Sequence, residues 1–228
     1  MQINYIGHAT FELVEGDARV LIDPFLSPNS PVAQVSADDV DPTHILLTHG
    51  HSDHAADAVA VAQRTGAECV AIVELAGWLE RQGVEKTHNP NLGGTVTFDW
   101  GSVKLVPAWH TNTTPDNRFG IGTAAGLIVR IGGHVVYVAG DTCLFSDMKL
   151  IAERNPVDVA LLPIGGHYTM DRHDGVVACE FVGAGTVIPI HYNAFPAIEI
   201  DVEAFKSDVE SQTSSQVVVL EPGRTHSA

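Results

Sequence analysis

The chain has 228 residues, of which 45% are hydrophobic and 18% charged, and its formal net charge is −16. This composition predicts a globular protein with ample material for a core, and the acidic balance argues against a general affinity for nucleic acid or anionic membranes. The 3 cysteines lack CxxC spacing, which disfavours a disulfide framework or a cysteine-only zinc site, and the absence of a long apolar run or an N-terminal signal pattern leads us to expect a cytoplasmic protein.

Predicted elements fill the chain from its first residues. Residues 2–6, 11–14 and 18–23 alternate in polarity around a Gly/Asp turn and predict a β-meander, which the proline-rich residues 24–31 end in a loop. Residues 44–47 and 67–72 predict buried strands, and residues 55–64 and 74–82 predict helices that close at glycines.

The second half continues with the same kinds of element. Strands are predicted over residues 95–100, 102–108, 126–131 and 134–138, with an aperiodic loop at 111–122 of the kind that often carries function. Helices over 146–154, 173–182 and 202–210 alternate with strands over 157–162, 185–190 and 216–220. Residues 225–228 are predicted to fray.

Two hairpins in the chain are alike. Residues 11–23 and 126–141 each turn at a glycine and end in an aspartate at the C-terminal end of a strand. The likeness predicts two related β-rich halves and therefore an α/β fold of two face-to-face sheets with helices outside. No shift in composition marks a linker, so we predict a single domain over residues 1–228.

Ligand-type side chains are concentrated in residues 46–54, directly after an apolar strand. His49 and His51 are two residues apart, so in an extended segment both imidazoles can face one ion. Asp53 and His54 follow where the next helix begins, and they can reach a neighbouring position. Zinc takes about four N, O or S ligands at roughly 2.0–2.2 Å, so one short loop cannot complete two such shells.

Three further residues are candidates for the missing ligands, although each alone would more simply be a structural residue. His110, Asp141 and His191 each lie at the C-terminal end of an apolar strand, and strand ends at one edge of a sandwich converge. A carboxylate such as Asp141 can bridge two ions and hold them about 3.5–4 Å apart. The shared location at strand ends predicts that these residues and the 46–54 stretch meet in one metal site.

These motifs resemble the metallo-β-lactamase superfamily. His49-Gly50-His51-Ser52-Asp53-His54 matches its HxHxDH signature, and His110, Gly140-Asp141-Thr142 and His191 follow in the same order. Further segments look like a branch of small metal-dependent hydrolases related to ascorbate-6-phosphate lactonases. These segments are residues 7–11, 21–24, 91–94, 141–145, 162–170 and 188–192, so the likeness spans nearly the whole chain.

The resemblance implies a four-layer αβ/βα sandwich, with the site at the upper edge of two mixed sheets. It implies that one ion is held by His49, His51 and His110, the other by Asp53, His54 and His191, with Asp141 between them. Zinc is the first candidate for both divalent ions, and the ligand types leave manganese, iron and nickel open. Diiron flavoprotein-type oxidoreductases carry a glutamate where this chain has His51, which favours hydrolysis here.

The expected activity is therefore hydrolysis of a small molecule. Metal binding lowers the pKa of water to about 7, so a bridging hydroxide oriented by Asp53 is expected to attack an ester, lactone or phosphoester. An anionic substrate stays open because bound ions dominate the field of their own site, and homo-oligomerisation also stays open. The alternatives are a mononuclear iron oxidoreductase of the sulfur-dioxygenase type and a non-catalytic metal-binding protein.

Four residues outside the motif receive secondary roles. His8 is a candidate proton donor and Asp23 a candidate for orienting a ligand, with a hydrogen-bonded structural role as the equal alternative for both. His167 lies in a glycine turn and is a candidate to contact substrate or donate a proton, although a plain turn residue explains it as well. Arg118 is more simply a solvated loop residue than an anion-binding group.

Overall fold

The computed structural model describes residues 1–228 as two seven-stranded mixed sheets. The first sheet has the strand order β14-β1-β2-β3-β4-β5-β6. Its strands are β1 (Gln2–Gly7), β2 (Thr10–Glu15), β3 (Ala18–Ile22), β4 (His44–Leu46), β5 (Glu68–Val70), β6 (Thr87–His88) and β14 (Thr225–Ser227). The pairings from β14 to β3 are antiparallel, and those from β3 to β6 are parallel.

The second sheet has the order β13-β12-β11-β10-β9-β8-β7 and the same pattern of pairings. Its strands are β7 (Thr95–Phe98), β8 (Gly101–Pro107), β9 (Ala125–Ile131), β10 (His134–Val138), β11 (Val159–Pro163), β12 (Thr186–Ile190) and β13 (Gln216–Val217). The pairings from β7 to β10 are antiparallel, and those from β10 to β13 are parallel. The predicted likeness of the two halves therefore extends to the whole of both sheets.

Helices lie in the connections between neighbouring parallel strands, except between β3 and β4, which are joined by a helix-free loop over residues 23–43. They are α1 (Ser52–Ala55), α2 (Ala58–Thr65), α3 (Val73–Arg81), α4 (Met148–Arg154), α5 (Arg172–Val182) and α6 (Val202–Gln212). A short 3-10 turn covers Pro196–Ile198. None of these helices has the length and apolar character needed to cross a membrane.

Two apolar clusters hold the layers together. The larger contains 39 buried residues and joins side chains of the first sheet, such as Leu13, to side chains of the second, such as Leu127 and Leu161. The smaller contains 20 buried residues and packs the other face of the second sheet against α4, α5 and α6, with Phe205 completely buried. The predicted α/β sandwich, with helices outside two mixed sheets, is confirmed.

Strand β6 (Thr87–His88) was not predicted, and two further differences from the predicted elements have a clear physical cause. The helix expected over 55–64 is divided, because Asp57 is tied to the loop after β3: its backbone N donates to Pro24 O and its carboxylate accepts from Leu26 N. The prediction that residues 225–228 fray is wrong. They form β14, which pairs with β1 and so covers backbone groups that would otherwise lie at a sheet edge.

Candidate metal centre

The ligand-type residues meet where strands of both sheets end. His49, His51, Asp53 and His54 follow β4 of the first sheet, and His110, Asp141 and His191 follow β8, β10 and β12 of the second. Strand direction explains the convergence, since the parallel strands of each sheet deliver their C-terminal ends to one edge. The structure thus brings together all seven residues that the sequence predicts as metal ligands.

One half of the centre is a group of three imidazoles. A ligand nitrogen from each of His49, His51 and His110 lies within 4.8 Å of the others. Nε2 of His49 is 3.0 Å from Nδ1 of His51, and the His110 ring stands nearly perpendicular to both, at 82° and 78°. Three nitrogens facing a common point form the ligand set that zinc and similar ions accept.

The other half combines a carboxylate with three imidazoles. Ligand atoms of His8, Asp53, His54 and His191 also lie within 4.8 Å of one another. Oδ2 of Asp53 is 3.5 Å from Nε2 of His191 and 3.1 Å from Nε2 of His8. His8, which the sequence predicts as a proton donor, is fully buried beside Asp53. It is placed to hold this carboxylate by a hydrogen bond or to act as a further ligand of the same ion.

Asp141 lies between the two halves. Its Oδ1 is 3.3 Å from Nε2 of His54, and its Oδ2 is 3.5 Å from Nε2 of His110 and 3.1 Å from Nε2 of His191. Tetrahedral ligands at about 2.0–2.1 Å from an ion lie roughly 3.3–3.4 Å apart. These separations therefore suit ligands of shared ions.

Unpaired buried atoms support the same interpretation. Nε2 of His54, Nε2 of His191 and Oδ1 of Asp141 are buried and have no hydrogen-bond partner. Such orphan groups are costly unless something binds them, and metal ions would satisfy all three. The residues present therefore fit a metal centre.

The electrostatics favour the metal-binding form at Asp141 and His49 but not at two other histidines. Burial alone would raise the pKa of the Asp141 carboxyl, but His191 and His54 hold it well below its ordinary value. Burial and the neighbouring His54 lower the pKa of His49 well below its usual range. A charged carboxylate and a neutral imidazole are the forms that coordinate metal. Burial opposes the charged form of His54 and His191, but the Asp141 carboxylate raises the pKa of His54 well above its ordinary value and that of His191 to about 9, so an ion would displace a proton from each.

A buried hydrogen-bond chain behind the ligands joins the two halves. The Asp23 carboxylate accepts from Thr48 N at 2.8 Å and from Thr48 Oγ1 at 2.6 Å, and it lies 2.9 Å from Nδ1 of His54. Because the Thr48 hydroxyl donates its proton to Asp23, it can only accept from Nδ1 of His49, 3.0 Å away. Both histidines are thereby fixed with Nε2 free for an ion, which matches the orienting role predicted for Asp23.

Asn112 fixes the backbone between His49 and His51. Its Oδ1 accepts from Gly50 N at 2.8 Å, while its Nδ2 donates to Ile121 O and Thr123 O at 2.7 and 2.9 Å. Gly50 itself is confined, because a Cβ at this residue would lie 2.3 Å from Thr113 O. The loop at 111–122 therefore carries a structural support for the metal-binding loop.

Three site residues have left-handed backbone conformations. The φ angles of His8, Asp23 and His191 are 56°, 46° and 55°, and each residue follows directly on a strand. Such conformations cost about 1–3 kcal/mol each in non-glycine residues and are concentrated at functional sites. The turns aim these side chains into the centre, and the surrounding hydrogen bonds maintain them.

A cleft of about 950 Å³ opens above the centre. Besides five of the predicted ligands, it is lined by residues that the sequence did not single out. These include Phe25, Asn29, Thr111, Asn117, Tyr168, Phe195, Pro196 and Ala197. The volume is in the range of small-molecule sites.

Two residues with predicted roles lie away from this cleft. His167 is exposed, packs edge-on against the Tyr168 ring at 4.5 Å and does not line the cleft, so the structure favours Tyr168 over His167 for a substrate contact. The Arg118 side chain is 76% exposed and pairs with Asp116, in agreement with a solvated loop residue. Thr48 and Phe195 were missed, although each is close in sequence to a predicted ligand.

The fold and the site together define a metalloprotein with a His/Asp centre between the ends of two related sheets. A family model described as "Beta-lactamase superfamily domain" matches residues 18–192. A "UPF0173 metal-dependent hydrolase" from Natranaerobius thermophilus is 44% identical over 223 residues, covering 98% of this chain and 97% of the relative. One from Methanopyrus kandleri is 44% identical over 229 residues, covering 99% of both chains.

A solved structure gives the same result. The novel metallo hydrolase from the archaeon Ignicoccus hospitalis superimposes with a TM-score of 0.90 at 35% identity, over 99% of this chain and 97% of that one. The chain belongs to the UPF0173 metal-dependent hydrolases of the metallo-β-lactamase superfamily. It is accordingly a metal-dependent hydrolase.

Proposed function

We propose that this hydrolase cleaves an ester, lactone or phosphoester of a small molecule with water activated at two divalent ions, for which zinc is the first candidate. The observation that carries the proposal is the location of Asp141. Its Oδ2 lies 3.5 Å from Nε2 of His110 on one side of the centre and 3.1 Å from Nε2 of His191 on the other, and its Oδ1 lies 3.3 Å from Nε2 of His54. A carboxylate within ligand distance of histidines from both sides suits a bridge between two ions.

The ions, when bound, would lower the pKa of water to about 7 and so supply hydroxide at neutral pH. His49, His51 and His110 would hold one ion, and Asp53, His54 and His191 the other. Asp53 is 26% exposed in its side chain, the most accessible of the carboxylates at the centre, and it would orient the attacking water. The Thr48–Asp23 hydrogen bonds would keep His49 and His54 directed at the ions while substrate enters.

Metal analysis of protein purified without chelators tests the proposal. We expect two divalent ions per chain in the wild type, and loss of bound metal together with activity in Asp141→Ala. Asp99→Ala, in the exposed turn between β7 and β8, is the matched control and should retain both. An Asp141→Ala protein that kept two ions would contradict the bridging role, and a wild type with one iron ion would favour redox chemistry instead.

A screen of activated substrates supplies the second part of the test. Lactones, carboxylic esters, thioesters and phosphodiesters are offered to the metal-loaded protein. Turnover of at least one class, abolished by Asp141→Ala and not by Asp99→Ala, is the expected result. No turnover by a protein carrying two ions would contradict hydrolysis of these bonds.

A further inference from the structure

Two phenylalanines form an apolar wall beside the Asp53–His191 side of the centre. The ring centroids of Phe25 and Phe195 are 6.4 Å apart, and both rings stand edge-on to the His8 ring, at 5.9 and 5.4 Å. Both rings also line the cleft. Phe25 is 6% exposed and Phe195 half-buried, so the wall is anchored in the fold and accessible from the cleft.

The wall continues to the rim. Pro196 and Ala197 follow Phe195 along the cleft, and Tyr168 stands at its edge with 56% of its surface exposed. Exposed aromatic and apolar residues that line a cleft are typical of a surface that a ligand covers.

The cleft contains no protein cation. None of the 12 lysines and arginines lines it, and its only carboxylates are Asp53 and Asp141. Arg118 is next in sequence to Asn117 of the lining, but its guanidinium pairs with Asp116 at 3.4 Å. Sites that select phosphates or carboxylates commonly present arginine or lysine to them, and outside the metal ligands and the ions they would hold, the polar groups of this cleft are amides and hydroxyls.

We infer that the cleft selects an uncharged carboxylic ester or lactone whose hydrocarbon group packs against Phe25 and Phe195. The inference rests on the proposed hydrolytic function and names its substrate class. In the reaction, the water oxygen forms a bond to the acyl carbon, the acyl C–O bond breaks, and the released alkoxide takes up a proton. The products are a carboxylic acid and an alcohol, and no further reactant is consumed.

The test compares esters that share a leaving group. The metal-loaded enzyme is given p-nitrophenyl butyrate, which is neutral, p-nitrophenyl hemisuccinate, whose acyl group is anionic, and bis-p-nitrophenyl phosphate. We expect kcat/KM to be at least about tenfold higher for the neutral ester than for either anion. Phe195→Ala should lower kcat/KM for the butyrate about tenfold, the value of one largely buried aromatic contact, and should affect the hemisuccinate much less.

A positively charged side chain in the apolar wall should shift the preference of the enzyme towards the anionic ester. Phe195→Arg is expected to raise the ratio of hemisuccinate to butyrate turnover at least tenfold relative to the wild type. Phe119→Ala is the matched control, because Phe119 is a phenylalanine that is 67% exposed and does not line this cleft. The kinetics of this variant should equal those of the wild type. Equal rates on the neutral and anionic esters, or an unchanged preference in both Phe195 variants, would overturn the inference.

Binding provides a readout that does not depend on turnover. Butyrophenone, an unhydrolysable ketone of similar size, is titrated into the metal-loaded protein and followed by NMR. We expect about tenfold weaker binding in Phe195→Ala and unchanged binding in Phe119→Ala. If no ester is hydrolysed but butyrophenone binding depends on Phe195, the proposed hydrolytic function fails and the preference of the cleft for apolar ligands stands. Equal binding by the wild type and both variants would overturn that preference.

Discussion

Replacing Thr48 by valine should weaken metal binding without touching any ligand. The hydroxyl of Thr48 donates to Asp23 at 2.6 Å and lies 3.0 Å from Nδ1 of His49. Valine fills nearly the same space, so the packing around the side chain is retained. The substitution removes the hydrogen-bond partner of Nδ1 of His49 and one of the groups that hold Asp23 in place.

The size of the effect follows from these contacts. Nδ1 of His49 would lose its partner in a ring that is 0% exposed, and an unsatisfied buried polar group costs about 1–3 kcal/mol. Changes in residues that orient metal-binding histidines typically cost about 10–100-fold in metal affinity, which is about 1.4–2.7 kcal/mol. We expect Thr48→Val to fall in this range, and Thr48→Ser, which keeps the hydroxyl, to stay close to the wild type.

The assay is competition with a chromophoric chelator, combined with thermal unfolding of the metal-free protein. Ser215→Ala is the matched control, since Ser215 is also buried and donates to Ala184 O at 2.6 Å, at the opposite end of β12 from His191. The control should lower thermal stability and leave metal affinity unchanged. An unchanged metal affinity in Thr48→Val, or an equal loss in Ser215→Ala, would refute the orienting role of Thr48.

Two further outcomes are expected. Gly50→Ala should reduce metal affinity and activity together, because the new Cβ would lie 2.3 Å from Thr113 O and must displace the peptide group that Asn112 holds. A crystal structure of this variant with an unmoved loop and full metal content would contradict the prediction. Chelation should lower the melting temperature of the wild type by about 5–10 °C, since an ion at 100 times its Kd stabilises by about 2.7 kcal/mol. The same chelator should shift Asp141→Ala by a much smaller amount, and calorimetry of both proteins would measure the difference.

The strand and helix pattern was largely predictable because apolar periodicity is a local property. The meander of β1, β2 and β3, the hairpin of β9 and β10 and the helices α3 and α5 all lie within a few residues of their predicted positions. Two features depend on contacts between distant segments and could not be predicted locally. The division between α1 and α2 depends on the contact of Asp57 with the loop after β3, and β14 depends on its pairing with β1.

The proposed ligands can be singled out in the sequence for a different reason. Ligation restricts a position to a few residue types, and the HxHxDH spacing shows that restriction in the sequence itself. The residues that support or surround the ligands are not restricted in this way. A threonine such as Thr48, an asparagine such as Asn112 or a phenylalanine such as Phe195 is common in any loop, and its role is visible only once its partners are in place.

The two sheets have the same pattern of strand pairing, but they contribute different residues to the candidate metal centre. β3 and β10 hold corresponding positions in their sheets and are followed by Asp23 and Asp141. Asp141 lies near Nε2 atoms on both sides of the centre, whereas Asp23 contacts His54 through Nδ1 and stands behind His54 and Thr48.

The approach of the two sheets at this point depends on Gly140. A Cβ there would lie 2.9 Å from Cβ of Thr48, so any larger residue would separate the end of β10 from the end of β4. The loop after β4 contains four of the proposed ligands, but the corresponding loop after β11 contains none and is built around Gly165 and Gly166. Because the other proposed ligands, His110, Asp141 and His191, follow strands of the second sheet, neither half contains the full proposed set, which comes together only where both sheet edges meet.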